Sequence, residues 1–589
     1  MVAPSPVGRI RNHMMKPPPT PPPQSSHPTR ARHQALAGGL RPLPNLFVRS
    51  VSLLVLLYGI LTLLLITAVE CGFLSALSAL LGGVIAVLVQ FVFGPWILDL
   101  SLRFLYRIEW VNPNSLPAHV RAITQRICDE HKIQFPSFGI IDDGAPQAFT
   151  YGHYPSNARI VVSRGIFELL TPDEVDAVVA HEMGHVCHWD MVVMTIAQLV
   201  PLLAFYIYRT AAEGAERRGK ERSVAIIVAA GSYVVYIVSQ LIVLWFSRTR
   251  EYYADRFAGE RATSPNALAS ALVKIGYGLA SAGGASTQTP PPDSPRASHL
   301  GGSTGFATLN IFDKGAALNL VVAAQAGAHD GHFDPEVLKG ALQWDLWNPW
   351  ASFFEIQSTH PLIAKRLERL GDQSASMQRE PLVIFDRQKP ESYWDEFLVD
   401  VVVTLLPSLT LMIGLGSLTL GAVVGGISHT WYAALVMLIG LSSLLKTSLA
   451  YRGTKFPEQS VAQLLQEVKV SPIRPVPTSL RGTIVGKGVP GLIWSEDFVI
   501  HDGSGIIFLD YRQPFRFWEF LFGLLRAKNL QGKEVEVRGW YRRTPVPYLE
   551  IATLRVVNDT GQRRCYVKFA KLCTGAALTA LGAFLLFTV

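Results

Sequence analysis

Thr171–Asp190 reads T-P-D-E-V-D-A-V-V-A-H-E-M-G-H-V-C-H-W-D. Thr171 suits an N-cap, Pro172 the first helical position, and Glu174 completes a capping box, so the spacing predicts a helix from its first residues. Val175, Val178, Val179 and Met183 recur at helical spacing and give that helix an apolar face. His181 and His185 stand one turn apart and project from the same side. Two imidazoles in that relation can share one zinc ion, with Glu182 beside them to take a proton from a metal-bound water. Three fixed letters also arise by chance on buried helices, so the rest of the chain must supply the other parts of a site.

Across 589 residues, 49% are hydrophobic and only 17% charged, with mean hydropathy +0.26. That balance points to membrane. The net charge of +8 is read as Lys and Arg on the cytoplasmic side of spans, not as a nucleic-acid footprint. Cys71, Cys128, Cys187, Cys565 and Cys573 are scattered without a C-x-x-C, which argues against a disulfide framework and a thiolate zinc site. Cys187 follows the motif on another helical face and is read as packing.

Residues 1–45 are Pro-rich and basic, without Asp or Glu. Such a stretch reads as a polar tail in the cytoplasm. Apolar runs of the ~20 residues a bilayer span needs follow at about Leu46–Val69, Phe73–Leu98, Met191–Tyr208, Val224–Phe246, twice within Val399–Lys446, and at Leu572–Thr588. Between them, Ala118–His131 reads as an amphipathic helix. Phe138–Ile141, Gln147–Tyr151 and Arg159–Ser163 read as strands leading into the motif helix. Ala316–Gly327 and Asp334–Gln343 read as helices, and Gly283–Gly305 as a low-complexity loop. Beyond residue 450, three strands (Leu480–Lys487, Phe498–His501, Ile506–Tyr511), an aromatic helical stretch (Phe515–Leu525) and two strands (Glu534–Tyr541, Tyr548–Val556) follow the order of an OB-type barrel.

The expected fold class is an α-helical polytopic membrane protein with a cytoplasmic α+β zinc-metalloprotease domain and a C-terminal all-β, OB-like domain. The expected order is the tail (1–45), a transmembrane hairpin (46–98), the peptidase domain (99–398) with its own hairpin (191–246), a third hairpin (399–446), the barrel (450–568) and a last helix (572–588).

A catalytic zinc needs three protein ligands and an open fourth position. Glu251, just past the second span of the 191–246 hairpin, is the best third ligand, because two crossings return the chain to the side of His185. Asp255, one turn on, can accept a hydrogen bond from the free nitrogen of His181. The alternative is that Glu251 pairs with Arg248 or Arg250, and Asp255 with Arg256, as ordinary surface carboxylates.

H-E-M-G-H followed by Asp190 and an apolar run, S-R-T-R-E-Y-Y-A-D, and S-T-H-P with a downstream Arg together resemble the HtpX-type membrane zinc proteases, relatives of the CAAX prenyl proteases within the gluzincins. The resemblance covers roughly residues 40–370. It implies that His181, His185 and Glu251 bind one zinc ion per chain, that Glu182 is catalytic, and that Asp190 joins Asp255 in supporting the ligands. It further implies that His360 and Arg366 lie by the substrate and steady the oxyanion. Gln147-Ala148-Phe149 stands where the family usually has Asn-Ala-Phe, and Arg159, Ile160, Val161 and Val162, through Ser163, would form the substrate-binding edge strand. Ala148 and Phe149 would join them in holding the substrate.

The reading is a zinc endopeptidase in a bacterial plasma (inner) membrane, its active site facing the cytoplasm. It would cut membrane or misfolded proteins, with polypeptides and the lipid bilayer as partners and no nucleic acid. The alternatives are a protease for prenylated C-termini and a non-catalytic membrane scaffold. Since every candidate catalytic residue lies at or before Arg366, residues 450–589 are expected to be dispensable for the peptide-bond chemistry but to affect substrate choice or placement.

Overall fold

The computed structural model describes residues 43–70, 76–105, 108–144, 146–214, 220–284, 335–424, 428–487, 498–515, 517–519, 530–544, 546–557, 559 and 561–588. The expected helix at 316–327, nearly all of the loop at 283–305 and most of the aromatic stretch at 515–525 lie outside them.

Two long apolar helices come first, α1 (Leu46–Glu70) and α2 (Ala76–Leu105). Next are β1 (Glu109–Val111), α3 (Ala118–His131), β2 (Ser137–Ile141), β3 (Ala148–Gly152), β4 (Ala158–Ser163) and the short α4 (Arg164–Leu169). The motif helix α5 (Pro172–Cys187) leads into α6 (Asp190–Gly214), α7 (Lys220–Arg261) and α8 (Pro265–Gly284). Then come α9 (Pro335–Trp347), α10 (Pro349–Glu355), α11 (Ile363–Ser376), α12 (Trp394–Val424), α13 (His429–Ala450) and α14 (Val461–Leu465). The chain closes with β5 (Val476–Lys487), β6 (Phe498–His501), β7 (Ile506–Asp510), β8 (Glu534–Arg543), β9 (Pro547–Val556), β10 (Gln562–Arg564) and α15 (Val567–Thr588).

Among the described residues, six helices are long and apolar enough to cross a membrane: α1, α6, α7, α12, α13 and α15. Helix α2 carries the expected run to Leu98 and continues past it. There Asp99 accepts a hydrogen bond from the Tyr151 hydroxyl at 2.6 Å and meets Arg159 at 3.1 Å, which ties the end of α2 to the first sheet. Helix α7 has 42 residues, a length of about 63 Å at 1.5 Å per residue and about twice the thickness of a hydrocarbon core. The segment carrying Glu251 and Asp255 is therefore the direct continuation of an apolar helix out of its apolar zone. Helices α13 and α15 pack closely, since a Cβ on Gly440 would come within 2.4 Å of the Thr579 backbone nitrogen.

The first sheet has the order β1-β2-β4-β3. Strand β4 runs parallel to β2 (Phe138 beside Ile160) and antiparallel to β3 (Thr150 beside Ile160). This corrects the expected edge. Arg159, Ile160, Val161 and Val162 lie on an interior strand bonded on both sides and offer no free backbone edge to a peptide. The edge strands are β1 and β3, and β3 carries Ala148 and Phe149.

The second sheet closes on itself. Strand β5 pairs with β6 and β8, β6 with β7, β7 with β9, and β9 with β8, giving a five-stranded barrel to which β10 adds an edge. One continuous buried core runs through both units, from Val120, Ile160 and Val178 to Leu342, Leu464, Ile484 and Leu554. Arg543, fully buried, donates to the carbonyls of Ala341 (2.6 Å) and Leu465 (2.9 Å), and Trp344 Nε1 donates to the Val470 carbonyl at 2.9 Å. The barrel is docked on α9 through the core, so the two units share their packing.

Candidate active site

Helix α5 begins as its sequence requires, with the Glu174 carboxylate accepting the Thr171 N–H at 2.8 Å. Its far end crosses α7 at Gly184, where a Cβ would lie 3.1 Å from the Ala254 Cα. That close approach sets His181 and His185 against Glu251 and Asp255. Past α5, Trp189 adopts a left-handed backbone (φ 60°). The chain turns there, and Asp190 Oδ2 comes within 2.7 Å of His185 Nδ1.

The ligand atoms of His181, His185 and Glu251 lie within 4.8 Å of one another. His181 Nε2 is 3.3 Å from His185 Nε2 and 3.5 Å from Glu251 Oε2, and His185 Nε2 is 3.5 Å from Glu251 Oε1. Behind them, Asp255 Oδ1 faces His181 Nδ1 at 3.1 Å. In the tautomer that carries its proton on Nδ1, beside Asp255 or Asp190, each ring turns a free Nε2 lone pair towards one spot. Glu251 Oε2 is buried there without a hydrogen-bond partner. Two converging lone pairs and an orphaned carboxylate oxygen repel one another unless a cation lies between them, so these residues fit a metal ion. Burial works against a charge on His181, but Asp255 and Glu251 outweigh it and raise its pKa to about 9, which marks the same negative field.

Neither arginine that could have neutralised Glu251 from its own helix does so. Arg250 Nε lies 2.9 Å from Asp190 Oδ1, and Arg248 donates to the Ser358 carbonyl at 2.6 Å. Arg366 lies elsewhere than expected. It is fully buried, donates to both oxygens of Asp255 at 2.9 and 2.6 Å, and approaches Glu251 Oε2 at 3.5 Å. Enclosed behind the carboxylates, the guanidinium is placed to hold Asp255 and Glu251. His360 does reach the cluster, its Nε2 3.7 Å from Glu251 Oε1 and its Nδ1 2.9 Å from Thr359 Oγ1.

The Glu182 carboxylate is 2% exposed and accepts the Thr150 hydroxyl at 2.7 Å. Thr150 escaped sequence reasoning, since no motif marks it. Its only signal is strand alternation, which puts it on the face of Ala148. Because Ser163 N–H bonds the Gln147 carbonyl, the antiparallel pattern turns the backbone groups of Gln147, Phe149 and Tyr151 towards β4. Those of Ala148, Thr150 and Gly152 turn to the open edge.

Residues 115–374 match the family model described as Peptidase family M48. A protein named Protease HtpX homolog from Methanothermobacter thermautotrophicus is 33% identical over 222 residues, which cover 38% of this chain and 82% of that protein. Protease HtpX homolog 1 from Streptomyces coelicolor is 33% identical over 222 residues, covering 36% of this chain and 73% of that protein. Among solved structures, the crystal structure of S. mikatae Ste24p superposes with a TM-score of 0.30 at 16% identity, over 55% of this chain and 64% of that one, a loose and partial likeness.

Proposed function

The chain belongs to peptidase family M48, as an HtpX-type membrane metalloprotease, and from that premise we propose that it is a zinc-dependent endopeptidase acting on membrane or misfolded proteins. The observation that carries this reading is the convergence of His181, His185 and Glu251 on one point. Zinc held there supplies Lewis acidity and brings the pKa of a water molecule to about 7.

The chain's own groups do the rest. Glu182, oriented by Thr150, accepts the proton of the attacking water and delivers it to the leaving amine. The role assigned to His360 needs its proton on Nε2, the nitrogen facing the cluster, with the Thr359 hydroxyl then donating to Nδ1 at 2.9 Å. From there His360 stabilises the negative oxygen of the tetrahedral state. Asp190 and Asp255 orient the two imidazoles, with Arg250 and Arg366 holding those carboxylates in turn. The substrate lies along β3 as an added strand, bonded by the free backbone groups of Ala148, Thr150 and Gly152.

We read residues 99–398 as the peptidase unit and 450–568 as an OB-like barrel, with 46–98, 191–246, 399–446 and 572–588 in the bilayer. The basic tail supports an active site on the cytoplasmic face, and we read the membrane as a bacterial inner membrane. The test is substrate trapping. Glu182→Gln in full-length protein should keep zinc, lose cleavage of casein, and retain uncut polypeptides that mass spectrometry identifies. Zinc-free wild-type protein, or undiminished cleavage by Glu182→Gln, would overturn the proposal.

A further inference from the structure

Helices α6 and α7 do not close fully on each other. A groove of about 360 Å³ opens between them, lined by Gln198, Leu202 and Phe205 from one helix and Tyr236 and Gln240 from the other, and it ends at Thr359. Thr359 contacts His360, which faces the metal-binding cluster. The groove thus leads from the reacting site into the apolar part of the hairpin. Gln198 lies eight residues into α6 and Gln240 seven residues before Ser247, so both stand about 10–12 Å along their helices, within a hydrocarbon core of about 30 Å.

Neither carboxamide has a hydrogen-bond partner among the described residues, and both line the groove. Pro201, also in its wall, cannot donate to the Ala197 carbonyl. Unpaired polar groups on membrane helices are costly and mark where something polar arrives. A lipid tail or a prenyl chain has nothing to offer two amides. A peptide does. To lie along β3 a substrate must be extended, and a span that unwinds towards β3 exposes backbone N–H and C=O groups inside hydrocarbon. A carboxamide both donates and accepts, so it serves either group.

We propose that this groove receives the membrane-embedded end of a substrate span as it unwinds towards β3, with Gln198 and Gln240 bonding the freed backbone groups. The inference rests on the protease reading above.

The test uses full-length protein in nanodiscs of phosphatidylethanolamine and phosphatidylglycerol, with two probes. One is a single-span Leu/Ala helix with a polar extension carrying the cleavage region, and the other is casein in solution. The quantity read is the ratio of kcat/KM for the embedded probe to that for casein. In the double variant Gln198→Leu, Gln240→Leu this ratio should fall about tenfold, the loss expected for one or two hydrogen bonds, whereas Gln198→Asn, Gln240→Asn should largely preserve it. A photoreactive benzoylphenylalanine at Leu202, in a Glu182→Gln background, should crosslink to the embedded probe. An unchanged ratio, a wild type that cuts casein alone, or crosslinks to lipid alone overturns the groove assignment. Wild-type protein that holds zinc yet cuts neither probe overturns the protease reading instead.

Discussion

Arg366 grips Asp255 with two parallel hydrogen bonds, Nε to Oδ2 at 2.9 Å and Nη2 to Oδ1 at 2.6 Å, and no part of it reaches solvent. Asp255 in turn faces His181 Nδ1. The guanidinium therefore acts through a carboxylate and an imidazole. Its burial is tolerable because Asp255 and Glu251 compensate its charge, and theirs is compensated by it.

Removing Arg366 should be a folding and metal-binding lesion. Arg366→Met leaves two buried carboxylates without their cation, which costs about 3–5 kcal/mol of stability. Arg366→Lys keeps the charge but loses the forked geometry, and should show weaker zinc retention at a nearly normal melting temperature. Zinc content and Tm on purified protein check both. An Arg366→Lys protein with full zinc and a loss confined to kcat would restore the oxyanion role.

Thr150 and Glu251 should fail in opposite ways. Thr150→Val removes the hydroxyl that orients Glu182 and should lower kcat about tenfold with zinc intact, the loss expected for one hydrogen bond to a charged group. Glu182→Gln should lower it by about 10²–10⁴, the usual worth of a general base. Glu251→Ala should lose zinc together with activity. Atomic spectroscopy beside a peptidase rate separates the three, and a Thr150→Val protein that sheds its zinc would place Thr150 in the wrong role.

Glu174 should make stability depend on pH. Burial pushes its carboxyl up, but Lys274 at 2.7 Å, the Ser270 hydroxyl at 2.6 Å and the Thr171 N–H outweigh burial and hold its pKa below the ordinary value. A depressed folded pKa means the unfolded chain binds the proton more readily. The stabilisation is therefore complete above the unfolded value of about 4.3 and disappears as pH falls through the lower folded value. Glu174→Gln keeps an acceptor for the Thr171 N–H but loses the charge paired with Lys274; it should cost about 1 kcal/mol near neutrality, and that difference should shrink below about pH 4.3. Melting temperatures of both proteins from pH 7 to 3 test the sign. A gap that widened in acid would contradict it.

What could be read from the sequence was local. Capping placed the start of α5 at Pro172, and turn residues bounded the strands that became β2, β3, β4 and the barrel. Glu251 and Asp255 were found because they share a helical face just past an apolar run. What could not be read depends on pairing across the chain. Arg159–Ser163 looks as fit for an edge as Gln147–Tyr151. Only the parallel pairing of β4 with β2, a relation of distant segments, buries one and leaves the other open. The partner of Arg366 lies 111 residues away, so the sequence, which places this arginine by the substrate through a motif alone, does not show the carboxylate it grips. Arg543 ends a strand, where a charge ordinarily meets water, yet it is fully buried against Ala341 and Leu465.

That burial sets the last prediction. Asn348 accepts the Trp350 N–H at 2.9 Å, capping α10, and donates to the Val468 carbonyl at 2.8 Å. Helix α10 leads into Ser358, Thr359 and His360, so the segment before the barrel holds the start of the loop that carries His360. Chain truncated after Lys446 would bare Leu338, Leu342 and Trp344, all buried in the common core, and should aggregate or lose zinc. Because a truncation that fails to fold is uninformative about mechanism, the sharper variants are made in the full chain. Arg543→Met removes a donor to two buried carbonyls and the cation 3.7 Å from Asp345, at a cost of about 3–5 kcal/mol. Asn348→Ala removes one cap and one tether, about 1 kcal/mol. If the barrel steadies His360 through α10, Asn348→Ala should lower kcat severalfold at full zinc occupancy, and Asn348→Asp, which keeps the cap but not the donor, should fall between it and the wild type. A chain ending at Lys446 that folded, held zinc and cut casein at the wild-type rate would show the barrel to be a passenger.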